Sequence, residues 1–157
     1  MGSDEKPNRV ALVAAHSTRL TDEFLSPQLG RPVTPTAIEP LTDGHMAQVL
    51  RLWFTAEGEG QDPVQAETVI YKGAALSKTR DIAARFKSLE REAAFYRALA
   101  PKLPIATPQC WSAAPSTEAE PWLLLEDLAP KAALAPPLTM DLALTLLANL
   151  HHKTLGD

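Results

Sequence analysis

The chain has 157 residues, which suits one ordinary domain or part of a larger protein. Apolar residues make up 45% and charged residues 22%, so the composition indicates neither a disordered chain nor a membrane protein. The formal net charge of -4, with no long basic run, argues against a nucleic-acid partner, because phosphate contacts need clustered lysine and arginine.

Residues 1–19 are predicted to form a flexible tail or a short docking segment. The apolar stretch VALVAAHST before Arg19 is too short, and too interrupted by His16, for a secretory signal or a membrane span. Cys110 is the only cysteine, which leaves no internal disulfide and no thiolate cluster for zinc. We therefore expect a reducing, cytoplasmic setting and no membrane partner.

The first predicted element is a short helix over Leu20–Leu29, capped by Thr21 and ended by Gly30. Three runs that alternate or are rich in β-branched and aromatic residues then predict strands, with a reversal between the last two at Glu57–Pro63. The predicted strands are Thr36–Leu41, Ala47–Thr55 and Glu67–Lys72.

A long helix is predicted over Ser77–Leu99, with Ser77 or Thr79 as its cap and Pro101 ending it. Two further strands and a second long helix follow, and the Ala/Pro-rich connector after Asp127 marks a boundary between two lobes. These elements are Gln109–Ala113, Pro121–Glu126 and Leu138–Lys153.

Glu92 is a charged residue inside the apolar arc of the long helix. Its neighbours three and four residues away are Ser88, Leu89, Phe95 and Tyr96, so its own helix supplies no cation at the usual spacings. A carboxylate in that position needs a partner, because burying an unpaired charge costs several kcal/mol or forces protonation. The partner is expected from another element.

Lys72 is the leading candidate, because it shares one face of its strand with Thr68 and Ile70. The competing cations are Lys78, Arg80 and Arg85. Periodicity alone favours the alternative, a lysine that ends a strand and extends its ammonium into water.

Five stretches in order resemble a family, the kinase-like small-molecule phosphotransferases that include aminoglycoside phosphotransferases, choline kinases and ecdysteroid-kinase-like proteins. The first resembles the two strands and the phosphate-binding loop between them, and the second resembles the strand that carries the phosphate-binding lysine. The third resembles the helix that carries the partner glutamate in an E-x-x-F-Y context. The fourth resembles the hinge between the lobes, and the fifth resembles the first helix of the large lobe. In that order they are PLTDGHMAQVLRL, TVIYK, LEREAAFYRAL, PWLLLEDL and LALTLLANLHH.

The resemblance implies an α+β fold: a protein-kinase-like N-lobe, with an antiparallel sheet of about five strands and one long helix. A linker and the first helix of an incomplete C-lobe would follow. The implied domains are the tail at 1–19, the nucleotide-binding N-lobe with its leading helix at 20–128, and the truncated C-lobe at 129–157.

The resemblance also implies an ATP site. Lys72 would orient the α- and β-phosphates while Glu92 holds its ammonium in place. Backbone N–H groups of a loop beginning at Asp43 would cradle phosphate, although a plain hairpin turn is the alternative. Leu125 would guard the adenine pocket, and Asp127 would face the ribose or cap the linker. The remaining implied contacts are the loop residues Gly44, His45 and Met46, the Glu126 C=O and the Leu128 N–H.

The family's base and magnesium ligands lie on an H-G-D-x-x-x-x-N-like loop and a later aspartate, and neither motif occurs in these 157 residues. We therefore expect the ATP-binding part of a phosphotransferase, inactive alone, with magnesium held only in the complete enzyme. The alternative is a non-catalytic kinase-like binding or interaction module. In either case the last helix should expose Leu142, Leu146 and Leu150 to a missing C-lobe or to self-association.

Overall fold

The computed structural model describes residues 19–42, 47–56, 67–74, 87–114, 120–132 and 139–155. Within these ranges no helix is long and apolar enough to cross a membrane. The elements, in chain order, are α1 (Asp22–Leu29), β1 (Val33–Thr42), β2 (Ala47–Ala56), β3 (Glu67–Ala74), α2 (Ser88–Ala98), a 3-10 turn (Ala100–Lys102), β4 (Cys110–Ala113), β5 (Trp122–Glu126), α3 (Ala129–Ala132) and α4 (Met140–Leu155).

The five strands form one sheet in the order β1-β2-β3-β5-β4, and every neighbouring pair is antiparallel. The predicted α+β class with a five-stranded antiparallel sheet is confirmed. The predicted reversal at Glu57–Pro63 lies outside the described residues. The strands on either side of it, β2 and β3, pair with each other in antiparallel orientation, which is the pairing expected of a hairpin. Because β5 lies between β3 and β4, the sequence predicted to be a hinge lies beside the strand that carries Lys72.

Helix α1 has the predicted cap and the predicted end, but it begins at Asp22 rather than at Leu20. The Thr21 hydroxyl accepts a hydrogen bond from the Phe24 N–H at 3.3 Å, which satisfies one of the free donors of the first turn. Gly30 ends the helix at φ 71°, a left-handed conformation that glycine adopts without a Cβ penalty. The helix buries Leu25 completely against the sheet.

One face of the sheet, which we call the α1 face, packs on this helix. Alternation along β2 buries Leu50, Leu52 and Phe54, while the residues between them lie on the other side. The neighbouring strands add residues to the same cluster, namely Val69, Tyr71, Trp122 and Leu124. The rings of Phe24 in α1 and Trp122 in β5 are in contact, with 5.0 Å between their centroids, so the helix packs directly on the sheet.

Strand β1 is longer than predicted, because it begins at Val33 rather than at Thr36. It includes Pro35 and Pro40, and the pairing with β2 shifts register next to each of them. Proline is tolerated there because β1 is an edge strand, where a missing N–H costs no ladder hydrogen bond. The predicted start, Thr36, is therefore three residues too late.

Helix α2 covers the opposite face, which we call the Lys72 face. Its Leu89 and Ala93 pack with Leu123 and Leu125 of β5. The prediction of one continuous helix from Ser77 is wrong at Lys87, which has φ 50° and ψ 44° and so cannot continue a right-handed helix. The proposed caps Ser77 and Thr79 lie outside the described residues, and the helix ends before the 3-10 turn that contains Pro101.

Helix α4 begins near the predicted position, and the Thr139 hydroxyl accepts from the Leu142 N–H at 3.2 Å at its start. Leu142 is 40% exposed and Leu146 is 38% exposed, as predicted, whereas Leu150 is half-buried. Exposure extends beyond that stripe to Met140, Leu144 and Leu147. The helix therefore presents a broad apolar surface.

Candidate functional site

Lys72 and Glu92 form an ion pair on the Lys72 face. The Lys72 Nζ donates to the Glu92 Oε1 at 2.6 Å and to the Oε2 at 2.7 Å. Strand alternation turns Lys72 toward the face that carries Ile70, and helix periodicity places Glu92 beside the buried Ala93. The predicted pairing is therefore present. The competing cations Lys78, Arg80 and Arg85 lie outside the described residues.

The pair is held firmly yet remains open on one side. Its side chains are 23% and 28% exposed, so both charges are largely surrounded by protein but keep access to solvent. An ammonium has three donors, and the contacts with the two carboxylate oxygens use two of them, which fixes its position and leaves the third for another acceptor. Such a cation can attract and orient an anion. Its role in nucleotide binding remains a prediction.

The surroundings of Glu92 are apolar and keep nearby acids protonated. Burial, reinforced by the negative charge of Glu92, raises the pKa of Tyr96. Burial also raises the pKa of Cys110, against a smaller opposing effect of Arg97. Because Cys110 packs against the cluster between α2 and β5 and keeps its proton, it acts as a core residue rather than as a nucleophile.

The predicted phosphate loop, Asp43, Gly44, His45 and Met46, lies outside the described residues. The strands that it joins are described. Thr42 and Val49 are register partners, and Val49 pairs in turn with Lys72. The connection between β1 and β2 therefore leaves the sheet at the end where Lys72 lies.

Of the predicted hinge residues, Leu125 lies on the Lys72 face, whereas Glu126 is the register partner of Val69 on the α1 face. Leu125 is buried beside Ile70, its register partner, and packs in the cluster beneath α2. The Glu126 carboxylate accepts from the Gln109 N–H at 3.0 Å, which ties β5 to the segment before β4. Leu128 is 43% exposed. The backbone contacts proposed for Glu126 and Leu128 remain predictions.

Asp127 is buried, and its carboxylate is occupied by protein groups. It accepts from the Arg51 Nε at 2.7 Å and from the Ala129 N–H at 3.0 Å. Of the two predicted roles, the structure shows the cap of the linker. Burial by itself raises the pKa of Asp127, but the hydrogen bonds and the Arg51 charge outweigh it and hold the pKa below its ordinary value.

Arg51 is the residue that the sequence did not single out. Its guanidinium also contacts Glu39 at 3.1 Å and lies 5.7 Å from the Trp53 ring centroid, and its hydrogen bond to Asp127 raises its pKa. Alternation of β2 places Arg51 on the Lys72 face, but nothing in the pattern identifies a partner 76 residues away.

His151 and His152 are both exposed on α4. Across the described ranges, no group of three or more His, Cys, Asp or Glu side chains is arranged to hold a metal ion.

Comparison with known proteins adds no relative. No family model matches the chain, and neither the curated proteins nor the solved structures contain a match.

Proposed function

We propose that the chain is the ATP-binding portion of a small-molecule phosphotransferase with a kinase-like N-lobe, which in the complete protein transfers the γ-phosphoryl group of ATP to a hydroxyl. The observation that carries the proposal is the Lys72–Glu92 pair, with its two hydrogen bonds of 2.6 and 2.7 Å on a partly open face. In phosphoryl transfer the protein contributes mainly positioning and charge stabilisation, and a lysine fixed by a glutamate supplies both.

The residues along the Lys72 face support a nucleotide as the anion. Val49 of β2 and Ile70 of β3 are half-buried apolar residues on this face; Val49 pairs with Lys72, and Ile70 pairs with the buried Leu125 of β5. A base needs an apolar surface, and its phosphates need a cation at one end of that surface. The connection that begins at Asp43 would then cover the phosphates, and the Glu126 C=O and Leu128 N–H would contact the base.

The proposal assigns nucleotide binding to this chain and assigns no proton acceptor or magnesium ligand to its residues. ATP is the proposed ligand, and magnesium would join it in the complete enzyme. The purified 157-residue chain is therefore expected to bind ATP without phosphorylating an acceptor.

A second candidate, a kinase-like interaction module without catalysis, is favoured by helix α4. Met140 is 74% exposed and Leu144 is 56% exposed, an unusual display of large apolar side chains on one helix. Concentration-dependent self-association of a chain that has no affinity for ATP would favour this candidate over the first.

Isothermal titration with ATP tests the proposal. Saturable binding is expected for the wild-type chain, and about tenfold weaker binding is expected for Lys72→Met and for Glu92→Gln, since each removes one charged hydrogen-bonding partner. Lys102→Met, which removes an exposed lysine of the 3-10 turn, is the matched control and should bind as the wild type does. Wild-type affinity in Lys72→Met, or no binding at all, would contradict the proposal.

A further inference from the structure

The second ion pair of the Lys72 face lies at the opposite end from Lys72. The Asp127 side chain is only 4% exposed, and Arg51 reaches it from two strands away with Nε at 2.7 Å and Nη2 at 3.5 Å. Thr68, which also hydrogen-bonds the carboxylate, precedes Lys72 by four residues of strand, or about 13 Å. A nucleoside polyphosphate can span that separation.

The carboxylate also controls the backbone that follows β5. Its Oδ1 accepts from the Ala129 N–H at 3.0 Å, which closes a turn around Leu128. The same Oδ1 contacts the Arg51 Nη2, so the guanidinium fixes the rotation of the carboxylate that closes the turn. Arg51 is itself held by the Glu39 carboxylate and the Trp53 ring. The orientation of the Leu128 peptide is therefore set through Asp127 by a residue of β2.

We infer that Arg51 and Asp127 are positioning residues that hold the Leu128 backbone N–H toward the base of the bound nucleotide. The inference rests on the proposed function. It names the Leu128 backbone N–H as the group by which the nucleotide site distinguishes a nucleotide with its base from a bare phosphate chain. Asp127 does not contact the ligand in this arrangement, since its oxygens are engaged by Arg51, Thr68 and Ala129. A charged pair is suited to the task because its fork geometry allows one orientation.

The test compares ATP with inorganic tripolyphosphate, which has the phosphates and no base. The variants are Asp127→Asn, Arg51→Gln and the double variant, which removes both charges and so leaves neither one buried alone. Each variant should bind ATP about tenfold more weakly than the wild type, the equivalent of one hydrogen bond, and bind tripolyphosphate equally well. The double variant should lose no more than either single variant, because the two residues act as one unit.

Two controls separate this effect from others. Glu67→Gln removes the carboxylate of the exposed Arg31–Glu67 pair, which lies outside the proposed site, and should leave both affinities unchanged. Lys72→Met should weaken ATP and tripolyphosphate alike. Amide hydrogen exchange at Ala129, measured without ligand, should be faster in the double variant than in the wild type.

The outcomes distinguish the inference from the proposed function. Wild-type ATP affinity in the double variant, equal losses for the two ligands, or unchanged exchange at Ala129 would each overturn the inference alone. A wild-type chain that binds neither ligand would overturn the proposed function and the inference with it.

Discussion

The two faces of the sheet differ in what they bury. On the α1 face the side chains of Leu50, Leu52 and Val69 are fully buried, and Tyr71 is 1% exposed. The Lys72 face instead carries two ion pairs, Lys72–Glu92 and Arg51–Asp127, whose cations are 23% and 21% exposed. Burial of apolar surface stabilises the fold, whereas a partly open charge mainly orients a partner. We therefore expect substitutions in the α1 face to affect mainly stability, and substitutions of Lys72 and Glu92 to affect mainly the proposed binding of a nucleotide.

The largest expected effect comes from the α1 face. Leu52→Ala should lower the free energy of unfolding by about 3 kcal/mol, because it removes a fully buried side chain and leaves a cavity. Urea denaturation followed by circular dichroism measures the loss. Leu142→Ala, a truncation of a 40% exposed leucine, is the matched control and should change little. The ATP affinity of the folded fraction should not change, and a large change would remove the distinction between the faces.

Asp127→Asn should lower the free energy of unfolding at pH 7 by about 2 kcal/mol, the range for hydrogen bonds to a charged group. Because the folded-state pKa of Asp127 is lowered, its stabilisation is present above the unfolded-state pKa of about 3.9 and is lost as the pH falls through the folded-state value. Denaturation of the wild type and the variant from pH 7 to pH 2 should show that the difference between their free energies of unfolding decreases as the pH falls. A difference that does not change with pH would contradict the role given to the carboxylate.

Gly73→Ala should cost about 1.5 kcal/mol by overpacking. A Cβ at this position would lie 2.7 Å from the Tyr71 Cε1 and 2.8 Å from the Tyr71 Oη, so the buried ring would have to move. Thermal unfolding measures the change. Gly73 adjoins Lys72 in sequence but faces the other side of the strand, so a lower unfolding temperature with unchanged ATP affinity is expected. An unchanged unfolding temperature would show that the ring can shift freely.

The smallest effect is expected for Glu67→Gln. Its partner Arg31 and Glu67 itself are each 43% exposed, and pairs of that kind contribute at most about 0.5 kcal/mol. Urea denaturation should give the variant a free energy of unfolding that equals the wild-type value within experimental error. If Glu67→Gln lowered the free energy of unfolding as much as Asp127→Asn does, exposure to solvent would not explain the difference between the Arg31–Glu67 and Arg51–Asp127 pairs.

Local features of the fold were predictable from the sequence. Thr21 and Gly30 mark the ends of α1 because their chemistry acts within a few residues. Alternation identified β2 and β3, and the lack of a local cation for Glu92 predicted a partner from another element, which is Lys72.

Features set by distant contacts were not predictable in this way. Periodicity does not show that β5 lies between β3 and β4, nor that the residue before α2, Lys87, is left-handed. The Arg51–Asp127 pair joins residues 76 positions apart, and no sequence pattern singles out Arg51 as the partner of Asp127. Their pairing depends on strand order, which places the end of β5 within reach of β2.

Labelling with an ATP analogue that carries an acyl group on its terminal phosphate tests the central claim most directly. When a lysine lies beside the bound phosphates, its nitrogen forms an amide with the acyl carbon and ATP leaves, so mass spectrometry of the digested chain identifies that lysine. We predict preferential labelling of Lys72, suppressed by excess ATP. Labelling spread over the other lysines, or unaffected by ATP, would contradict a nucleotide site at the Lys72–Glu92 pair.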